Sequence, residues 1–407
     1  MQRKHQPVTL TCHECELAVT VNNLNVGQKA HCSRCGFVLL RYPHNMIDSI
    51  LAFSLTAIIF LLLSLPFEFL LFKSNGLENS MSLFMSFQIL VENDYWFLAL
   101  IELITIYITP IFLLCTLLYL FIPLKKERYP ANGHQVMKYL FLVLPWSMVE
   151  IFLVGAFVSL IKLVSLADVI LGPSFYAFLF FSIAMTATVL YIDKQALLNM
   201  LDYAQSISNE ENLNESEQKS SENKSLSLLE NEQRVNDLSD QEKLSIQKTW
   251  ALILTSIILF IPANVLPIMN TRLLGQDDPS TILGGVILLW ELGSIPIAFV
   301  IFIASIIVPV AKILALIWLN YSVQTNSVRF RRERIKLYRL AEFVGRWSMV
   351  DVFVVIILAS LIQLGNTMTI YPGAATISFS GVVIVTMLAA MSFEPKLIWK
   401  SNILKSE

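Results

Sequence analysis

Eight apolar runs, each long enough to cross a hydrocarbon core of about 30 Å, govern what this 407-residue chain can fold into. They fall at 47–72, 95–123, 139–163 and 172–192, and again at 249–269, 296–320, 343–364 and 375–393. Backbone amides in lipid must be satisfied within their own segment, so each run reads as a helix. Composition agrees: 55% of the residues are apolar and 15% charged, where ordinary globular chains carry about 25% charged residues. A formal net charge of -2 lacks the basic excess of a nucleic-acid binder. Residues 1–45 have no short apolar core of the kind a secretory signal needs, and read as a retained polar segment.

Basic residues set the expected orientation. Lys125, Lys126 and Arg128 follow the second run; Arg329, Arg331, Arg332, Arg334, Lys336 and Arg339 follow the sixth. The opposite loops hold Glu78, Glu92, Asp94, Asp277 and Asp278. Both termini and the central segment are therefore expected in the cytosol. The halves also repeat: Trp146-Ser147-Met148-Val149-Glu150 matches Trp347-Ser348-Met349-Val350-Asp351, 201 positions later. An even number of spans per half gives both repeats one orientation. The expected fold is an all-α integral membrane protein of two tandem four-helix repeats, 46–200 and 246–407, behind a zinc ribbon at 1–45. Residues 201–245, rich in Ser, Asn and Glu, read as a disordered cytosolic linker. The less hydrophobic stretches 79–91 and 280–292 admit two readings, an interfacial helix or re-entrant segment on one side and a plain extracytoplasmic loop on the other.

Four of the five cysteines form two Cys-x-x-Cys knuckles, Cys12/Cys15 and Cys32/Cys35. That spacing suits one tetrahedral four-thiolate site for a structural Zn2+; rubredoxin-like iron fits it too. Gly36 supplies the positive φ that such a turn wants. Four protein ligands leave no open position for catalysis, and the chain reads as a non-enzyme. His13 and His31 read as bystanders, and Cys115 as a small core residue of the second span.

Charges at membrane depth are costly and point to function. Glu150, Lys312 and Asp351 stand out. At 1.5 Å per residue, Lys312 and Asp351 fall roughly 12 Å from the cytosolic face, in a layer with Thr386. Ser305 lies seven residues before Lys312, and Ser348 three before Asp351, so uninterrupted helices would place each pair on one face. Pro309 can bend the sixth span. Two readings follow: a working polar network, or a structural Lys312–Asp351 bridge. Near the end of the fifth span, Pro262 and Pro267 bracket Asn264, which suits either an unwound polar handle or a helix simply ending.

These motifs resemble the paraquat-inducible protein A family, including its lipophilic-envelope-spanning-tunnel A members. The resemblance rests on the four-cysteine ribbon, the Pro262–Pro267 segment, Phe302–Pro309 with Lys312, and Gly345-Arg346-Trp347-Ser348-Met349-Val350-Asp351. It implies a multi-pass inner-membrane partner of periplasmic MCE-domain tunnels, handling membrane phospholipid in a Gram-negative envelope. Familiar members carry a second zinc ribbon before the second half, whereas residues 201–245 contain no cysteine. No Gly-x-x-x-x-Gly-Lys-[Ser/Thr] loop is present, so no ATP site of that kind is expected. From the residues alone, a proton- or ion-coupled transporter of a small solute and a non-transporting scaffold remain as alternatives.

Overall fold

The structure, a computed structural model, describes residues 8–21, 28–41, 45–74, 77–126, 128–164, 168–213, 227–273, 276–291, 293, 295–325, 330–362 and 368–399. Eight helices among them are long and apolar enough to cross a membrane: Met46–Ser64, Trp96–Lys125, Gly133–Ile161, Pro173–Tyr191, Lys243–Val265, Ala298–Gln324, Arg331–Leu361 and Ala374–Ser392, here spans one to eight. Span one packs along span four, and span five along span eight. The halves meet where span three packs on span seven, with Phe152 and Phe353 edge to face at 5.5 Å. Span seven is the central element: 83% of its apolar stretch is buried, against 22–56% elsewhere.

Each half adds a small antiparallel sheet that the sequence reading did not foresee. At the ribbon end, β1 (Val8–Thr11) pairs with β2 (Ala18–Val21), and β3 (Lys29–His31) with β4 (Val38–Arg41). At the opposite ends of the spans lie β5 (Glu68–Ser74), β6 (Leu77–Ser82) and β7 (Asp168–Leu171), in the order β6-β5-β7. The second half repeats this with β8 (Met269–Leu273), β9 (Gln276–Ser280) and β10 (Met368–Pro372), in the order β10-β8-β9. Span one, expected to run to residue 72, therefore stops at Ser64. Pro66 disfavours helix at the residue before it, and Phe67 to Phe72 are apolar because Phe69 and Leu70 enter the core beneath the sheet. Phe69 there packs at a tilt against Phe152 and Phe175, with ring centroids 5.9 and 5.3 Å away.

Helices Leu83–Glu92 and Ile282–Glu291 follow the two hairpins, which decides for the helical reading of both stretches. Spans four and eight begin at glycines wedged against backbone. A Cβ on Gly172 would lie 2.0 Å from the Glu68 carbonyl oxygen, and one on Gly373 2.1 Å from that of Pro267.

The segment expected to be a disordered linker carries helical backbone over Lys194–Leu213 and within Ser227–Val265; residues 214–226 lie outside the described residues. Its Glu, Gln, Lys and Leu are good helix formers, and both stretches continue from, or lead into, a span. Pro262 sits inside the fifth helix without unwinding it, because the helix runs on to Val265 and Leu266 still donates to the Pro262 carbonyl at 3.0 Å. Cys115 is exposed on the outer surface of span two, contrary to the core position expected for it. In an apolar bilayer that outer surface is itself an apolar environment, so the residue type does not separate core from lipid face.

Candidate functional site

The four cysteines converge as expected. Each knuckle closes alike: Cys12 N–H donates to Leu17 O at 2.9 Å and Cys32 N–H to Phe37 O at 2.8 Å. Gly36 takes φ 72°, and Glu16, at the same place in the first knuckle, takes φ 57°. Sulfurs of Cys12 and Cys35, and of Cys15 and Cys32, stand 3.5 Å apart, and all four lie within 4.8 Å of one another. A tetrahedral ion with metal–sulfur bonds of about 2.3 Å needs edges of about 3.8 Å, so this donor set fits a metal ion. Burial pushes the Cys15 thiol up to about 11. Burial also raises Cys32, but backbone amides of Cys35 and Arg34 outweigh it and bring that thiol down to about 7.

The ribbon is fastened to span seven. Glu14, between two of the cysteines and buried, accepts from Arg339 through both carboxylate oxygens, with Nε at 3.1 Å. Arg339 also donates to the Cys35 carbonyl at 3.2 Å. Arg34 stacks over Trp399 at 4.9 Å, tying the ribbon to the segment after span eight. The sequence reading used Arg339 only for orientation and passed over Arg34 and Glu14.

Spans three and seven are both broken at the repeated motif. The first passes through a 3-10 turn, Leu144–Trp146, and restarts at Val149; the second stops at Trp347 and restarts at Val350. Glu150 and Asp351 thereby fall in the first turn of a helix. There the positive end of the helix dipole favours a carboxylate, which explains how an acid is held at that depth. Ser348, in the break, does not share a helix with Asp351, and its hydroxyl has no hydrogen-bond partner among the described residues.

Spans two and six each carry a π-helical turn, Leu103–Ile108 and Ile303–Ile307, just before Pro110 and Pro309. Such turns insert a residue and cluster at functional sites. The insertion shifts phase by about 100°, so Ser305 and Lys312 do not share the face that a regular helix would give them. Ser305 donates to Asp351, and both line a small cavity of about 60 Å³ beneath β8 and β9. Lys312 instead lines a larger cavity of about 330 Å³ toward the ribbon side. The expected Lys312–Asp351 pairing is thus not made: the Lys312 ammonium is buried, with no hydrogen-bond partner among the described residues.

The larger cavity is walled by both halves. Ser147 and Glu150 come from span three, and Arg339, Glu342 and Arg346 from span seven. Met185, Met387 and Met391 complete an apolar side. Glu150 accepts from Thr186 of span four at 2.6 Å. Gly345 allows Lys312 its place, since a Cβ there would lie 2.5 Å from Nζ. Thr386 and Asn264 are spent locally, donating to their own helices at Val383 O (3.0 Å) and Phe260 O (2.8 Å). Seven residues, or about 10 Å of helix, separate Lys312 from Ser305, so polar groups occupy both sides of a narrow apolar layer.

Glu102 is the principal omission. It is the one carboxylate in the 95–123 run and is fully buried, hydrogen-bonded to Ser86 of the short helix after β6. Its isolation in an apolar run was the available signal.

A profile of the paraquat-inducible protein A family matches residues 47–202 and 246–402, one match to each four-span half. The chain belongs to that family. Among curated members, the Escherichia coli K12 "Intermembrane transport protein PqiA" is 35% identical over 407 residues, spanning 98% of this chain and 97% of that protein. A "Probable intermembrane transport protein" of Haemophilus influenzae is 26% identical over 96% of this chain and 95% of its own length. The "Lipophilic envelope-spanning tunnel protein A" of Escherichia coli K12 is 38% identical over 39% of this chain and 37% of that protein. No solved structure matches. As a member of the paraquat-inducible protein A family, the chain is a multi-pass membrane protein with a four-cysteine site able to hold a metal ion.

Proposed function

We propose that this chain is the inner-membrane subunit of an MCE-type lipid transport system, exchanging phospholipid between the inner membrane and a periplasmic MCE-domain tunnel. The observation that carries the reading is the end-to-end match to a protein named for intermembrane transport, 98% of this chain against 97% of the relative. Both termini and the ribbon then lie in the cytosol, in keeping with the basic segment that begins at Arg329. The two sheets and the short helices Leu83–Glu92 and Ile282–Glu291 face the periplasm, where a tunnel would dock.

Zn2+ is the metal we assign to Cys12, Cys15, Cys32 and Cys35, in a structural role. Four thiolates complete its tetrahedron and leave no exchangeable position. Lys312, Asp351, Ser305, Ser348 and Glu150 form the polar path of transport, with Lys312 serving the ribbon side and Ser305 and Asp351 the sheet side; Thr386 and Asn264 stand outside it, hydrogen-bonded within their own helices. Crossing between those sides requires spans six and seven to shift, and the π turn and the broken helix are places where backbone can yield at modest cost.

The test is a strain lacking this chain. Labelled phospholipid chased from inner- to outer-membrane fractions should exchange more slowly, and a plasmid copy should restore the rate. Photo-crosslinkers at Phe84 and Leu283, both exposed, should capture an MCE-domain protein, while those at 329–339 should not. Unchanged exchange, or the reverse crosslinking pattern, overturns the reading.

A further inference from the structure

We infer that the 330 Å³ cavity between the halves is a binding site for the phosphodiester headgroup of a membrane phospholipid. The inference rests on the lipid-transport reading above and names where the substrate is held. Its volume falls within the range of small-molecule sites, about 300–1,000 Å³. Lys312 is the decisive residue. It is 4% exposed, its ammonium has no hydrogen-bond partner among the described residues, and it lines this cavity. A buried cation without a partner carries a large desolvation cost, which an entering anion would offset.

Arg346 and Arg339 share the wall, and guanidinium groups bind phosphate oxygens through paired N–H donors. Arg339 is already committed to Glu14 and the Cys35 carbonyl, leaving Lys312 and Arg346 as the phosphate ligands. Two carboxylates also face the space. Glu150 is held by Thr186, and Glu342 lies one helical turn before Arg346. They disfavour a multiply charged anion and tolerate a singly charged phosphodiester, especially one that carries an ammonium. The methionine side suits the glycerol and upper acyl chains, because thioethers adapt to irregular apolar shapes. The surface at Phe343, which lines the cavity and is 54% exposed, gives the chains a way out to the bilayer.

The experiment places p-benzoylphenylalanine at position 343, close in size to the native side chain, in the full-length protein in its own membranes. After irradiation, mass spectrometry should find a phospholipid adduct. Lys312→Met and Arg346→Gln should each lower its yield about tenfold, while Lys312→Arg retains it. A crosslinker at Tyr321, exposed on span six, should capture surrounding lipid equally in all variants. Thermal unfolding of each variant in detergent checks folding, and if Lys312→Met fails that check Arg346→Gln carries the comparison. Equal adduct yields at position 343 in wild type and the neutralised variants overturn the site. Complete competition by excess inorganic phosphate in the purified protein would assign it to free phosphate and overturn the lipid. No phospholipid adduct at position 343 in a wild-type background that exchanges phospholipid refutes the site alone; an adduct in a chain that exchanges no lipid refutes the transport reading alone.

Discussion

Replacing Gly373, the extended N-cap of span eight, with Ala should destabilise the protein by about 2–4 kcal/mol, although the change adds only one methyl group. The new Cβ would lie 2.1 Å from the Pro267 carbonyl oxygen, whereas carbon–oxygen contacts settle at about 3.3 Å. Backbone must therefore separate by about 1.2 Å, since no rotamer of Pro267 moves its carbonyl. Three hydrogen bonds cross that contact: Gly373 N–H to Ile268 O at 2.8 Å, Ala375 N–H to Pro267 O at 3.0 Å, and Thr376 Oγ1 to Ile268 O at 2.6 Å. Each contributes about 0.5–1.5 kcal/mol, and overpacking by itself costs about 1–3 kcal/mol. Weakening two of the three while the wedge opens gives the stated range. Gly285→Ala is the matched control, because nothing lies within 4 Å of its Cβ position and it sits in the helix Ile282–Glu291. It should gain up to about 1 kcal/mol from propensity. Thermal unfolding of the purified proteins, followed by circular dichroism, decides the matter. Coincident transitions for Gly373→Ala and Gly285→Ala would refute the wedge argument, and Gly172→Ala should behave like Gly373→Ala.

Purified protein should hold about one Zn2+ per chain by elemental analysis, and near-stoichiometric iron would contradict the assignment; Cys12→Ser/Cys15→Ser should lose the metal and unfold the ribbon while the eight spans stay inserted. Arg339→Ala should release the ribbon from span seven at a cost of about 1–3 kcal/mol, seen as roughly tenfold faster proteolysis of residues 8–41, and unchanged digestion would show that the Arg34–Trp399 contact suffices. Glu102→Gln, which keeps a hydrogen bond to Ser86, should unfold within about 1 kcal/mol of wild type, whereas Glu102→Ala should lose about 2–4 kcal/mol through an emptied and unsatisfied site; equal melting of the two would deny the hydrogen bond its part. Lys312→Ala, Asp351→Asn and the Lys312→Met/Asp351→Leu double variant should insert and bind the tunnel partner yet fail to complement a transport-deficient strain at matched expression. Wild-type complementation by the double variant would reduce both charges to structural residues.

Eight spans, their grouping by four, the duplicated Trp-Ser-Met motif and the four-cysteine cluster were all legible in the residues. Each rests on a local rule: apolar length for a span, a repeated string for a duplication, thiol spacing for a metal knuckle. Span ends were less legible where apolar residues continued past the membrane helix. Leu70, for example, is hydrophobic because it lies under a sheet, and hydrophobicity does not distinguish a lipid environment from a protein core. The polar tract at 201–245 shows the converse: low hydrophobicity rules out a packed core and leaves a helix free to form, as it does up to Leu213.

What tertiary structure alone decided is the assignment of partners. Sequence placed Lys312 and Asp351 at similar depth, and opposite charges at one depth suggest a pair. A π turn before Pro309 and a break between Trp347 and Val350 change the phase of both helices, and no residue pattern announces such phase shifts in advance. Lys312 thereby turns toward Ser147, Glu150 and Arg346 while Asp351 turns to Ser305. Glu14 and Arg339, 325 positions apart, meet only because the ribbon folds back on span seven. Local chemistry fixes which segments cross the membrane and which can hold a metal; which charges face one another depends on helix phase and long-range packing, and these exist only in the assembled fold.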